Sequence, residues 1–280
     1  MDREASLPSF DSVRLATPDD LARMATVAAA GFFWSPTFQL QRPRYAEFPE
    51  DTLSSYWRAY LSDFKDPTAI VLVAEDARKD DEAHSVYDAL RNSTMYETGT
   101  DPKSKTIVGV CSVNLKPDSW RVGLFQDGSK HAPHVDPPGP HAADNSNRDF
   151  DQDAYALYNE LTSPAKKKFL ADHMKLSTLA VHPAYWRRGH AASLVGWCTR
   201  LADMDGVSIG VSAAPMGAKV ASQAGFEEQA TIRIKRTLTM QHNLSRHGGP
   251  DVGDVELWIG IRPPSDISPE RSDSPATSSL

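Results

Sequence analysis

The chain has 280 residues, 40% of them hydrophobic and 9% aromatic, and a net charge of −7 at pH 7. That is apolar material for one enzyme-sized core, and an acidic balance without a basic stripe argues against nucleic acid as a partner. The two cysteines, Cys111 and Cys198, each sit inside an apolar pattern, so they read as small core residues in a reducing compartment and not as a disulfide framework. The first residues lack the charged-then-apolar pattern of a secretion signal, and no apolar run reaches the roughly 20 residues of a membrane span. The expectation is a cytoplasmic protein with no membrane partner.

Residues 1–10 read as an N-terminal tail. Ser12–Ala16 then alternates like a strand, and Thr17-Pro18-Asp19-Asp20 is a helix start, with Thr17 as cap and acids in the first turn. The helix runs to Gly31, with Leu21, Met24, Ala25 and Ala28 at helical spacing. Phe32–Phe38 is an aromatic loop outside a clear helical period, readable from its residues as a staple against the next helix, expected over Thr52–Phe64. Ala69–Asp76 and Thr106–Leu115 read as buried antiparallel neighbours. Between them, residues 77–105 form a polar insertion with a short helix near His84–Arg91, either an ornament or a partner-binding element. A second insertion, 116–149, is rich in Pro, Gly and polar residues and reads as a mobile flap dispensable for folding. Its His131, His134 and His141 lie among prolines instead of rigid ligand-bearing turns, so no metal is expected. Asp151–His173 reads as a helix pair, or one helix broken near Pro164.

Leu176–Val181 is an apolar strand-like run that ends at His182-Pro183. After it, Arg187, Arg188, Gly189, His190 and Ala191 open a helix, where unpaired N–H groups and the positive end of the dipole form a cradle for an anion such as pyrophosphate. A second strand, Val207–Ser212, leads into a helix ending at Gly225-Phe226, with Gly225 suited to the left-handed position past a helix end. Residues 228–236 and 255–262 alternate as a terminal strand pair, and 263–280, rich in Ser, Pro and Asp, reads as a disordered tail.

The stretch Leu176–Val195 resembles motif A of the GNAT superfamily of acetyl-CoA-dependent N-acetyltransferases, whose fingerprint is Gln/Arg-x-x-Gly-x-Gly/Ala. Gly189 and Ala191 occupy its last two positions and Trp186 its first. Residues 207–226 resemble motif B of the same family, so the resemblance covers about residues 170–240. It implies an α/β fold with a mixed, mostly antiparallel sheet, splayed central strands and helices on both faces, in a single domain over residues 11–262. It implies acetyl-CoA as co-substrate, its amides paired with the backbone of Leu179, Ala180 and Val181, and its pyrophosphate over Arg187, Arg188, Gly189, His190, Ala191 and Ala192. The implied reaction is direct transfer to a small-molecule or peptide amine, with the N–H of Val181 as donor to the thioester oxygen.

The tyrosine that the family usually places four residues before the Gly of Gly-Phe is Ala221. The family's base positions align with Lys175 and Ser177, of which Ser177 can order a water. His173 shares that strand face by alternation and is the second catalytic candidate, and Glu75 is a more distant one. The negative net charge favours a cationic amine. Two alternatives stand beside this reading: a CoA-binding protein of the same fold without catalysis, and transfer to a hydroxyl.

Overall fold

A computed structural model describes residues 7–98, 105–125, 147–235 and 253–265. The expected tails, the three histidines of the second insertion and the metal question they raise fall outside those residues.

Seven strands form one sheet in the order β1-β2-β3-β4-β5-β7-β6. They are β1 (Val13–Leu15), β2 (Ala69–Ala77), β3 (Lys105–Asn114), β4 (Met174–Val181), β5 (Ile209–Ala213), β6 (Glu227–Ile234) and β7 (Val255–Arg262). Every neighbouring pair is antiparallel except β4 and β5, which are parallel. The strands alternate, and each face of the sheet is covered by helices, the mixed α/β arrangement expected from the sequence.

On one face, α1 (Leu21–Phe32) and α3 (Pro49–Lys65) bury Met24, Val27, Ala28, Leu53, Trp57 and Tyr60 against Val71, Val73 and Val110. The opposite face carries α6 (His190–Asp205), whose Leu194, Val195, Trp197 and Leu201 pack on Leu72, Leu176 and Ile209. Cys111 and Cys198 meet in this second core with their sulfurs 3.7 Å apart, both free thiols. The contact with Cys198, together with burial, pushes the Cys111 thiol well above its ordinary value. Beyond β5, α2 (Pro36–Gln41) and α5 (Gln152–Leu170) cover the far half of the sheet through Leu40, Ala154 and Tyr158 on Ile234 and Leu257. Leu257 and Trp258 are adjacent on β7 yet belong to different cores, so α5 lies on the same face as α1 and α3. The last helix, α7 (Pro215–Gln223), packs against β5, β7 and α6.

Several local expectations are corrected. Most of the aromatic segment is helical: α1 runs through Phe32, and α2 begins at Pro36 with the Ser35 hydroxyl accepting from the Thr37 N–H at 3.2 Å. Residues 152–170 form one helix with Pro164 inside it. Pro164 is exposed, as is Glu160, whose carbonyl loses the intrahelical partner and faces water instead.

The first insertion is a buttress, not an ornament. Its Glu82 makes a two-pronged pair with Arg23 of α1, at 2.7 and 2.9 Å, with both residues buried. It also accepts from the Tyr185 hydroxyl at 2.8 Å, and Leu90 of the short helix α4 (Asp88–Arg91) is fully buried. The described ends of the second insertion are pinned as well, against the expectation of a dispensable flap. Arg121 pairs with Asp205 at 2.8 Å, and Asp149, fully buried, accepts from Arg42 at 2.5 Å and Thr52 at 2.6 Å.

Removing one partner of such a pair strands the other charge in a buried site, at a cost of about 3–5 kcal/mol. Glu82→Ala and Asp149→Ala are each predicted to lower unfolding free energy by about 3 kcal/mol in urea titrations. A loss below about 1 kcal/mol would show that the insertions are not fastened by these pairs.

Candidate active site

The parallel pairing of β4 with β5 covers only Met174↔Ile209, Lys175↔Gly210 and Leu176↔Val211. Past that point β5 stays with β7 to Ala213, and the strands part. A cavity of about 830 Å³ occupies the gap. It is lined by β4 from Leu176 to Val181, by Val211–Ala213 of β5, by the turn around Arg187 and Gly189, by α7, and by Phe32, Trp34, Ser35 and Pro36.

Which backbone groups face the gap follows from the ladder. The N–H of His182 donates to the Val108 carbonyl of β3 at 2.8 Å, and hydrogen-bonded pairs alternate with non-bonded ones along antiparallel strands. Ala180 is therefore turned to β3, while Leu179 and Val181 present N–H and C=O to the gap. Of the three residues expected to hold the pantetheine amides, two are free to do so by this geometry, and Ala180 is not. The Val181 carbonyl is already engaged, since the indole N–H of Trp186 donates to it at 2.7 Å. Trp186, standing where the family fingerprint has Gln or Arg, thus closes one acceptor at the mouth of the gap and leaves the Val181 N–H.

The turn before α6 has two left-handed residues, Arg187 at φ 62° and Gly189 at φ 89°. A non-glycine residue in that region is strained by about 1–2 kcal/mol, and alternating hands of this kind turn successive N–H groups toward one point. The first turn of α6 adds its own donors: Ser193 is the first to find an intrahelical acceptor, the Gly189 carbonyl at 2.9 Å, which leaves His190, Ala191 and Ala192 with unspent N–H groups. A Cβ built on Gly189 meets no protein atom within 4 Å. The space above the turn is open.

The side chains here divide. Arg187 lines the cavity. Arg188 does not, because it pairs with Asp76 at the end of β2 at 2.8 Å and lies over the Tyr185 ring. The His190 imidazole also contacts Asp76, at 3.0 Å. Burial alone would raise the Asp76 carboxyl, but hydrogen bonds from Arg188, the Ala77 N–H and His190 hold it below the usual carboxylate range.

Ser177 lines the cavity at the vertex of the gap and donates to the Asn114 side-chain oxygen. The structure does not bring His173 to the cavity. It lies one residue before β4, with its Cβ near Gly210 of β5. Glu75 is bound to Arg14 at 2.8 Å. Ala221, where the family usually has tyrosine, is buried on α7 and lines the cavity without offering a titratable group.

Two features were not read from the sequence. Tyr185 lines the cavity, but its hydroxyl is spent on Glu82 and on the Lys79 N–H at 2.9 Å, and burial pushes it up to about 12. The other is that, among the described residues, no aspartate or glutamate lines the cavity, whereas Arg187, His190 and Lys219 do. Phe32 of the aromatic segment stacks on Tyr56 of α3, the staple against the next helix that the sequence allowed, and Phe33 stacks on Tyr87 and meets Tyr45, while Phe32 and Trp34 line the cavity. Among the described residues, no helix is long and apolar enough to cross a membrane.

No family model matches the chain. An acetyltransferase of Stachybotrys chartarum is 31% identical over 220 residues, which is 79% of this chain and 82% of the relative. Among solved structures, the histone acetyltransferase HPA2 and related acetyltransferase from Corynebacterium glutamicum aligns with 91% of this chain and 96% of its own, at 16% identity and TM-score 0.48. Arylalkylamine N-acetyltransferase 2 from Aedes aegypti aligns with 90% of this chain and 98% of its own, at 14% identity and TM-score 0.47. With a sequence relative spanning about four fifths of both proteins, and with a mixed sheet that parts at its only parallel step over a helix-capped turn, the chain belongs to the GNAT superfamily of acetyltransferases.

Proposed function

We propose that this acetyltransferase moves the acetyl group of acetyl-CoA directly to an amine acceptor. The observation that carries the reading is the continuous cavity from the Arg187–Ala192 turn to Ser177, lined among the described residues by Arg187 and Lys219 and by no carboxylate. A ligand with phosphates at one end and a flexible amide arm fits that sequence of surfaces: N–H donors and Arg187 at one end, then the gap-facing N–H groups of Leu179 and Val181. Bound there, acetyl-CoA supplies an acyl group activated as a thioester.

The chain's own residues position and polarise. The Val181 N–H is the donor available to an oxygen on the acyl group, beside an apolar wall of Phe32, Trp34 and Trp186. Ser177, held by Asn114, can orient an incoming amine or a water. Neither cysteine lines the cavity and both are fully buried, which supports direct transfer over a covalent relay. Among the described residues no carboxylate lines the cavity and its His190 is paired with Asp76, so the acceptor arrives as the neutral amine, and the proton it sheds on acylation passes through solvent to the departing thiolate of CoA.

Two outcomes are expected. Gly189→Val has room for its side chain but sets a β-branched residue at a left-handed φ of 89°, a local strain of about 1–2 kcal/mol, and should weaken acetyl-CoA binding at least tenfold, about 1.4 kcal/mol, in a calorimetric titration of the folded variant. Unchanged affinity in the folded variant would remove the turn from the site. Second, kcat/KM for an amine should climb with pH until the amine is neutral and should not fall near pH 10, because Tyr185 holds its proton to about 12. A descending limb centred near 10 in a stable enzyme would require a tyrosine acid that the cavity lacks. Thiol release with alcohols but with no member of an amine panel would replace the amine by a hydroxyl.

A further inference from the structure

A second cavity, of about 370 Å³, opens on the α5 face of the sheet beneath the vertex of the gap. It is lined by Lys166, Lys167, Leu170 and Ala171 of α5 and its end, by Lys175, Leu176 and Ser177 of β4, and by Ser212 of β5. Leu176, Ser177 and Ser212 also line the main cavity. The two spaces therefore meet at the point where, on the reading above, the acyl group is handed over, one on each side of the sheet.

Three of the eight lining residues are lysines and none is acidic, in a chain whose net charge is −7. Among the described residues none of the three makes an ion pair, although ion pairs are common elsewhere in the molecule. Lys166 is half-buried with its ammonium over the Tyr158 ring, 4.8 Å from the centroid, and burial holds it below the ordinary lysine range. Lysines near a helix C-terminus are favoured by the dipole. That accounts for the last turn of α5, which holds Lys167 and Lys168, but not for Lys175, which comes from another element and lines the same space. Lys166 is half-buried and Lys167 and Lys175 are exposed, so three like charges line one concave site, where a bound anion would relieve their repulsion.

We infer that the second cavity is a subsite for a carboxylate carried by the acceptor, so that the acceptor is an amino acid or similar molecule with amine and carboxylate in one chain. The amine would reach Ser177 and the gap while the carboxylate stays with Lys166, Lys167 and Lys175. A carboxylate suits the site better than a phosphate because the unpaired carbonyls at the end of α5 repel a dianion more strongly than a monoanion. The inference rests on the transfer reading for its purpose, but the subsite can be tested apart from it.

Glutarate, titrated into the protein without CoA and followed by calorimetry, should bind saturably and should weaken at least tenfold in the double variant Lys166→Gln, Lys175→Gln. In turnover, an ω-amino acid should be preferred over its amide, and the ratio of their kcat/KM values should fall at least tenfold in the same variant. Succinyl-CoA with a neutral amine forms the control arm for an acid on the donor instead of the acceptor. If glutarate binds and loses affinity with the lysines while no acetyl transfer is found, the subsite stands and the transfer reading falls. If folded, acetyl-CoA-binding protein takes up no glutarate, if its affinity ignores the lysines, or if the lysine effect follows succinyl-CoA instead of the acceptor, the carboxylate-acceptor inference is overturned.

Discussion

Backbone groups that a continuous sheet would have paired are left unpaired on purpose at one place in this molecule. After three parallel pairs β5 leaves β4 for β7, and the N–H groups of Leu179 and Val181 are left facing a cavity. Unpaired backbone donors in an otherwise buried strand are tolerated only where water or a ligand can satisfy them. The same divergence brings the start of α6 to the end of the gap, so a row of strand donors continues into a row of helix donors. The site is a consequence of two strands parting more than of any single side chain.

That parting has to be held open, and the holding is done from outside the gap. The first insertion carries Glu82 to the buried guanidinium of Arg23 and the hydroxyl of Tyr185, joining α1 to the turn below the anion cradle. Gly31, near the end of α1, lies so close to β4 that an added Cβ would stand 2.9 Å from the Val181 carbonyl, and this contact sets Phe32 and Trp34 at the cavity wall. Asp76 takes the side chain of Arg188 out of the cavity, holds the His190 imidazole at its edge, and fastens the turn before α6 to β2. Much of the chain that looks like decoration thus braces the site. Buried ion pairs of this kind contribute little net stability over apolar contacts, yet they are unforgiving of single changes.

On the proposed reading, a cavity whose described lining offers N–H donors and cations, with His190 paired to Asp76 and no carboxylate, restricts how the chemistry can be helped. Proximity and aligned N–H dipoles remain, and they account for large rate effects in other acyl-transfer sites. The Trp186 indole on the Val181 carbonyl matters in this setting. A rigid ring stands where the fingerprint has a flexible Gln or Arg, and it occupies an acceptor beside the Val181 N–H.

The strands, the helix after Arg187-Arg188-Gly189, the Gly225 turn and the α/β class were legible in the sequence because they depend on local properties: period, caps, and glycines at left-handed positions. The family followed from two short motifs for the same reason. What a linear pattern could not contain was which of several nearby groups face one another. Alternation placed His173 on the face of Ser177 but not in the cavity. It was the pairing of His182 with Val108 that turned Ala180 away from the gap and Val181 into it. Arg188 and Arg187 look equivalent in sequence, and only the distant Asp76 separates them. The second insertion read as a mobile flap because its composition cannot bury apolar surface, and the first as an ornament or a partner-binding element, whereas both are anchored by buried charges, Glu82 and Asp149, whose partners lie on other elements. Local periodicity and capping are written along the chain and determined the elements. Long-range charge pairing and strand register exist only once those elements have packed, and these alone decided which residues make the site.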